Sequence, residues 1–181
     1  FGNPFDQAYE QALKVARSKS LRFVSAFDDA LVISGQGTAT LEILQQLDNL
    51  DALVVPVGGG GLIAGMALAL KRLRPKSYIL GVQSKFVARL RSDKKASIKS
   101  PFFPSTIADG IAVKSIGKLT GPLIRRHVDK LCQASENQLA KSVIHFLELE
   151  RTLVEGAGAA SLAGLLFGNL PKRCKKVVLM A

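Results

Sequence analysis

The sequence predicts an α/β protein with a parallel sheet, and three observations support this class. Apolar runs typical of buried strands alternate with segments of helical periodicity along the chain. Residues 52–57 form such a run, and Gly58–Gly61 joins it directly to an apolar helical segment at 62–70. With 181 residues, 48% of them hydrophobic, the chain can bury a core and is not disordered.

The first half of the chain predicts alternating helices and strands. Apolar residues at helical spacing indicate a helix over 5–19, and the short apolar run Leu21–Val24 indicates a strand. Thr38 is expected to be the N-cap of a second helix that ends near Gln46. The same patterns then predict two strands and the helix between them, at 52–57, 77–82 and 62–70.

The second half is expected to continue this alternation after an irregular basic connection at 92–105. Ser135–Gln138 has the sequence of a capping box that opens a helix. The apolar face of that helix is expected to consist of Ala140, Val143, Ile144 and Leu147. The other expected elements are helices at 122–127 and 154–166 and strands at 130–134 and 176–180. A ligand site is expected at the carboxyl ends of the strands.

Charge and cysteine content disfavour several classes of protein. The net charge is +11, but the basic residues concentrate in two predicted loops, near 85–99 and 172–176, so we expect solvated loops and no nucleic-acid partner. Two cysteines, Cys132 and Cys174, cannot build a disulfide framework, which favours a cytoplasmic location. The longest apolar stretch, 156–170, is shorter than the roughly 20 residues that span a membrane.

The four glycines Gly58–Gly61 are the most informative feature. Between a buried strand and a helix N-terminus, they allow backbone N–H groups to converge on a phosphate. The simpler alternative is a tight turn, which needs fewer glycines. A P-loop is disfavoured because Leu62-Ile63 replaces its Lys-Ser/Thr pair, and a dinucleotide site is disfavoured because Gln83 replaces its ribose-binding acid. One small phosphate, such as that of pyridoxal 5′-phosphate (PLP), suits the loop.

The motifs together resemble the threonine dehydratase (threonine ammonia-lyase) branch of the fold-type II PLP enzymes, with serine dehydratase and serine racemase as close relatives. They occur in the family's order and spacing at Gly35–Thr38, Pro56–Leu62, Gly81–Ser84, Ile107–Val113 and Val154–Ala159. The resemblance implies the three-layer, parallel-sheet, tryptophan synthase β-like large domain over 27–181. Residues 1–26 would end the smaller domain and form the crossover, and the fold is expected to be incomplete at both ends.

The resemblance also implies an activity and a cofactor. The family eliminates water from L-threonine, and from L-serine, and the product hydrolyses to 2-oxobutanoate or pyruvate and ammonia. A small amino acid would be the substrate, and a homo-oligomer is expected. The residues implied in cofactor binding are Gly58, Gly59, Gly60, Gly61, Leu62, Gly110 and Glu155. A simpler explanation for Glu155 is the preference for acidic residues at helix N-termini.

Parts of the family's site have no match in these residues. The Schiff-base lysine belongs to a Ser-Phe-Lys-x-Arg-Gly segment, whereas Lys71 and Lys114, the lysines nearest the matching motifs, have other contexts. The pyridine partner's segment is expected beyond Ala181. We therefore expect no catalytic residue in this chain and no activity of the chain alone. Gln83 and Arg89 stand where serine racemase-like relatives hold a cation with carboxylates, so no metal is expected.

Two alternatives to a threonine dehydratase remain open at this point. One is a serine racemase or serine dehydratase, which shares the cofactor and the fold. The other belongs to a different class: a non-catalytic phosphate-binding interaction domain, which would need no lysine.

Overall fold

The computed structural model of the protein describes residues 5–88, 90, 106–113 and 115–181. Its strands are β1 (Ala52–Pro56), β2 (Tyr78–Ser84), β3 (Lys130–Ala134) and β4 (Val177–Leu179). Its helices are α1 (Phe5–Ser18), α2 (Ala30–Gln46), α3 (Gly61–Leu73), α4 (Thr120–His127), α5 (Glu136–Leu149) and α6 (Gly156–Phe167). A single 3-10 turn is described at Asp109–Ile111. The irregular connection predicted at 92–105 lies outside the described residues.

The four described strands form one parallel sheet in the order β3-β2-β1-β4. Ala52 of β1 is in register with Tyr78 of β2 on one side and with Val177 of β4 on the other. All strands therefore end at the same edge of the sheet, which is where ligands of such sheets bind.

Helices cover both faces of the sheet and create two apolar cores. Leu53 and Val55 of β1 pack with residues of α2, α3 and α4, whereas Val54 between them packs with α5 and α6. Successive strand residues point to opposite faces, so a strand buried on both faces is apolar throughout. The predicted α/β class and its three layers are confirmed.

The strand predicted at Leu21–Val24 is wrong. This segment has no regular structure and runs beside α1, where the rings of Phe23 and Tyr9 meet edge to face with centroids 5.1 Å apart. Leu21 and Val24 remain more than half exposed. An apolar run forms a strand only beside a partner strand, and none of the described strands lies next to this one.

The N-cap predicted at Thr38 is also wrong, although the helix ends at Gln46 as expected. The helix starts much earlier, at Ala30, because the carboxylate of Asp29 caps it by accepting from the N–H groups of Leu31 and Val32. Thr38 lies within the helix. Gly37, also within the helix, serves helix packing, since a β-carbon there would lie 3.1 Å from the carbonyl oxygen of Gly65 in α3.

The capping box at Ser135–Gln138 is confirmed, but the apolar face predicted for α5 is wrong. The buried residues of α5 are Leu139 and Ser142. The expected face of Ala140, Val143, Ile144 and Leu147 lies largely outward, and both Ile144 and Leu147 are 50% exposed. The helix carries apolar residues on more than one stripe, so periodicity alone did not identify the stripe that packs.

Among the described residues, no helix has both the length and the apolar character that crossing a membrane requires.

Candidate functional site

A cavity of about 510 Å³ opens at the carboxyl end of β1. It is lined by Ala26 and Phe27, by Pro56 and Gly58–Leu62, by residues 109–113, and by the start of α6. Its volume falls within the range of small-molecule sites. The cavity lies where the sheet topology predicts a ligand, and every residue proposed from sequence to bind a cofactor borders it: Gly58, Gly59, Gly60, Gly61, Leu62, Gly110 and Glu155.

The glycine loop is packed so closely that side chains do not fit. Gly60 has a φ of 96°, a left-handed conformation that glycine adopts without strain. A β-carbon at Gly59 would overlap the ring of Phe27, and one at Gly58 would lie 3.0 Å from the α-carbon of Ile111. The glycines thus let the segments that contain Phe27 and Ile111 pack closely against one short loop.

The backbone donors of this loop have no acceptor within the described part of the chain. The N–H groups of Gly58–Leu62 make no hydrogen bond there, and the first turn of α3 carries no acidic side chain. Unpaired N–H groups at a helix N-terminus, together with the helix dipole, bind anions. The loop therefore has the chemistry that a phosphate group needs.

The turn at residues 117–120, where α4 begins, holds the glycine loop by hydrogen bonds. The hydroxyl of Thr120 donates to the carbonyl oxygen of Gly59 over 2.7 Å, and the N–H of Gly117 donates to the same oxygen over 3.2 Å. The turn is itself held by the carboxylate of Asp28, which accepts from the N–H groups of Lys118, Leu119 and Thr120 at 2.8, 2.8 and 3.2 Å. Sequence reasoning missed both side chains, because nothing local marks a contact between distant segments.

Glu155 lies close to Gly110 across the cavity. A β-carbon at Gly110 would be 3.2 Å from Oε1 of Glu155 and 3.1 Å from the β-carbon of Ala157. Glu155 is the N-cap residue of α6, but its side chain makes no capping hydrogen bond. Its carboxylate is therefore directed to the Gly110 side and not to the helix, which weakens the explanation of Glu155 as an ordinary helix-end residue.

A carboxylate also organises the wall that contains Gly110. Glu136 accepts from the hydroxyl of Thr106 at 2.7 Å, from the hydroxyl of Ser84 at 3.1 Å and from the N–H of Ile107 at 2.9 Å. Asp109, which also lines the cavity, accepts from the N–H of Gly110 at 2.9 Å.

The charged side chains of the described cavity lining are acidic. This lining includes Asp109 and Glu155 but neither lysine nor arginine. Lys71 lies at the far end of α3, where its Nζ is 2.7 Å from Asp129 Oδ2. Lys114 lies outside the described residues.

The amide of Gln83 is engaged with the backbone of Leu90. Its Nε2 donates to the Leu90 carbonyl over 2.7 Å and its Oε1 accepts from the Leu90 N–H over 3.0 Å. Gln83 is 2% exposed. Arg89 lies outside the described residues, and within them no cluster of three or more His, Cys, Asp or Glu side chains could hold a metal. The expectation that no metal binds stays a prediction.

The family profile of pyridoxal-phosphate dependent enzymes matches residues 1–181. The chain belongs to this family. Its resemblance to that family, its fold type and its PLP dependence, all expected from sequence, are thereby confirmed.

This PLP-dependent chain is similar to known lyases and racemases. It is 39% identical to an L-threonine ammonia-lyase of Thermotoga maritima over 183 residues, covering 99% of the chain and 45% of that relative. A processed threonine deaminase from Solanum lycopersicum shares the fold with a TM-score of 0.87 and 30% identity, over all of the chain and 54% of that structure. Maize serine racemase matches with the same score and identity, over 96% of the chain and 55% of that structure. The chain spans about half the length of these proteins.

Proposed function

We propose that the protein is a PLP-dependent ammonia-lyase that acts on L-threonine, and also on L-serine. The products are 2-oxobutanoate or pyruvate, with ammonia. The observation that carries this proposal is the glycine loop, whose N–H groups at Gly58–Leu62 border a small-molecule cavity and find no acceptor among the described residues. The threonine ammonia-lyase and threonine deaminase relatives support the choice of substrate.

The residues of this chain would hold the cofactor by its phosphate and along one side of its ring. The N–H groups of Gly58–Leu62 would donate to the phosphate, which no basic side chain of the described lining approaches. Gly110 would leave room for the ring, and the Glu155 carboxylate would lie beside it. Bound there, PLP supplies an electron sink for cleavage of the bond between the substrate α-carbon and its hydrogen.

Among the described residues of the lining, only backbone dipoles would stabilise the phosphate. Because Asp109 and Glu155 give this side of the cavity a negative charge, a phosphate dianion would be repelled unless the loop N–H groups and the α3 dipole outweighed them. Hydrogen bonds from the loop N–H groups would favour binding, since a charge-assisted hydrogen bond is about twice as strong as a neutral one.

We propose that the Schiff-base lysine comes from outside this chain. Lys71 is directed to Asp129 at the opposite end of α3, and no described lysine lines the cavity. The chain alone, mixed with PLP and L-threonine, should therefore produce 2-oxobutanoate no faster than free PLP does. Faster turnover would assign the missing role to a lysine of this chain.

We further propose a domain division, a cellular location and an oligomeric state for the protein. Residues 27–181 would form the large PLP-binding domain, to which nearly all the cavity lining belongs, and residues 1–26 would end the smaller domain. Free cysteines at 132 and 174 favour a cytoplasmic location. Large exposed apolar side chains, such as Leu149 and Leu153, favour a homo-oligomer.

A serine racemase is the second candidate, favoured by the equal structural similarity to the maize enzyme. The environment of Gln83 counts against it, because that amide already serves both backbone groups of Leu90 where such relatives are expected to hold a cation. An amide supplies no anionic oxygen for Mg²⁺ or Ca²⁺.

One assay distinguishes the candidates. The full gene product, loaded with PLP, is incubated with L-threonine, L-serine or D-serine, and 2-oxo acids and the enantiomers of serine are quantified. The proposal expects 2-oxobutanoate from L-threonine at the highest rate, with no turnover after PLP is removed. Interconversion of the serine enantiomers without 2-oxo acid would replace the lyase with a racemase.

A further inference from the structure

We propose that Thr120 is a positioning residue that orients the Gly59–Gly60 peptide so that the Gly60 N–H faces the cofactor phosphate. This inference rests on the proposed function, because it names the residue that prepares the phosphate-binding loop. Thr120 itself does not line the cavity and would not touch the cofactor.

The Gly59 carbonyl is held by two donors. Its oxygen accepts from the hydroxyl of Thr120 at 2.7 Å and from the N–H of Gly117 at 3.2 Å. These bonds occupy both lone pairs of the oxygen and fix the direction of the carbonyl. The Thr120 side chain is 0% exposed, so water does not compete for this acceptor.

The planarity of the peptide bond transmits this direction to the next residue. In a trans peptide the C=O and the following N–H point in opposite directions. The Gly59 carbonyl points towards Thr120, so the Gly60 N–H points away from it. Gly60 borders the cavity and its N–H has no acceptor among the described residues.

Glycine makes such an anchor necessary. Gly60 adopts a φ of 96°, and glycine residues populate many backbone conformations in the absence of restraints. If the Gly59–Gly60 peptide flipped, it would direct a carbonyl oxygen at the phosphate in place of an N–H. The hydroxyl of Thr120 opposes that flip, since the flip would break a buried hydrogen bond.

Thr120 is in turn held rigidly. Its N–H donates to Asp28 Oδ1, which also accepts from the N–H of Leu119. Its β-carbon and hydroxyl lie 3.0 Å from where a β-carbon of Gly60 would be. A threonine fixed at both its backbone and its side chain can hold the loop before any ligand arrives, so binding does not have to order the loop.

The test compares the binding of PLP and of pyridoxal, which lacks the phosphate. Dissociation constants are measured by fluorescence titration of the full gene product. Thr120→Val removes the hydroxyl and keeps the shape of the side chain, whereas Thr120→Ser keeps the hydroxyl. Thr40→Val is the matched control, since the hydroxyl of Thr40 is equally buried and donates to a carbonyl, that of Met66, at the α2–α3 contact.

We expect Thr120→Val to weaken PLP binding by about tenfold, the effect of losing one good hydrogen bond. Pyridoxal binding should change little, and the Thr120→Ser and Thr40→Val variants should keep the preference for PLP. Thr120→Ala is measured in parallel in case the valine variant fails to fold, as judged by circular dichroism.

The outcomes of these titrations distinguish a failure of the proposed function from a failure of the positioning role of Thr120. If the unmodified protein binds pyridoxal as tightly as PLP, the phosphate cradle and the proposed function built on it are overturned, and the inference with them. If the unmodified protein prefers PLP and the folded valine and alanine variants keep that preference, the positioning role of Thr120 is wrong while the proposed function stands. Equal losses for both ligands would also contradict the role, since they indicate general destabilisation.

Discussion

The ring of Phe27 lies directly against Gly59, at the place where any other residue would carry its β-carbon. Phe27 also borders the cavity. The glycine is therefore required by the ring as well as by the proposed ligand, and the loop and the segment before α2 form one packed unit. This contact joins the cavity to the segment before α2, for which the sequence predicted no role.

The contact predicts that Gly59→Ala displaces Phe27 and weakens PLP binding. The added methyl group overlaps the ring, so the ring or the loop must move, at a cost of about 1–3 kcal/mol of stability. A double variant, Gly59→Ala with Phe27→Ala, should recover part of this loss. Urea unfolding and PLP titration of the two single variants and the double variant measure the coupling. Strictly additive effects would show that the ring and the loop are independent.

Helix packing predicts a second, larger effect at Gly65. A β-carbon there would overlap the carbonyl oxygen of Ile33 and lie 2.8 Å from the nitrogen of Gly37, both of them backbone atoms of α2. Gly65→Ala is expected to lower the free energy of unfolding by about 3 kcal/mol, because two helix backbones must separate.

Gly35 offers the control for this prediction. A β-carbon at Gly35 meets nothing within 4 Å. Gly35→Ala should stabilise the protein by about 0.5–1 kcal/mol through helix propensity alone. If thermal unfolding showed a comparable loss of stability in both variants, glycine would be needed for a reason other than the close approach of α2 and α3.

Cys132 predicts a loss of stability at alkaline pH. Burial raises the pKa of the Cys132 thiol from 9.0 to about 11. The folded state thus holds the proton more tightly than the unfolded state, so its contribution is complete below pH 9 and is lost as the pH rises from 9 to about 11. The free energy of unfolding of the unmodified protein should fall more steeply over this window than that of Cys132→Ala. Parallel curves for the two proteins would refute the assignment.

The exposed apolar side chains predict that the 181-residue chain associates with itself. Leu149 is 73% exposed and Leu153 is 82% exposed, and Leu21 and Val24 each expose more than half of their area. Apolar patches of this kind favour association. Light scattering across a dilution series should give masses above the 19.3 kDa of the monomer. Leu149→Lys with Leu153→Lys should reduce association if that patch is responsible, and a monomer at every concentration would contradict the prediction.

The local parts of the structure were predictable, and the contacts between distant parts were not. The succession of β1, glycine loop and α3 is contiguous in sequence, so strand burial, chain reversal and helix start could be inferred together. The start of α2 was missed because Gly35 and Gly37 suggest a loop, whereas Gly37 serves the contact with α3. The position of Leu21–Val24 depended on partners that no local pattern reveals.

The candidate site shows the same division. The glycine loop and the residues Gly110 and Glu155 came from motifs and do border one cavity. The bond from Thr120 to Gly59 joins residues 61 positions apart, and that from Lys118 to Asp28 joins residues 90 positions apart. Such contacts join segments that are distant in sequence, and hydrophobic periodicity does not determine them.

Whether the glycine loop holds the phosphate of PLP can be seen in a crystal structure of the full gene product with PLP. We expect the phosphate oxygens to accept hydrogen bonds from N–H groups within Gly58–Leu62, at donor–acceptor distances of about 2.7–3.2 Å. We also expect the Gly59 carbonyl to point at Thr120 in that structure. A phosphate bound by lysine or arginine side chains elsewhere, with the loop N–H groups facing only water, would contradict these expectations.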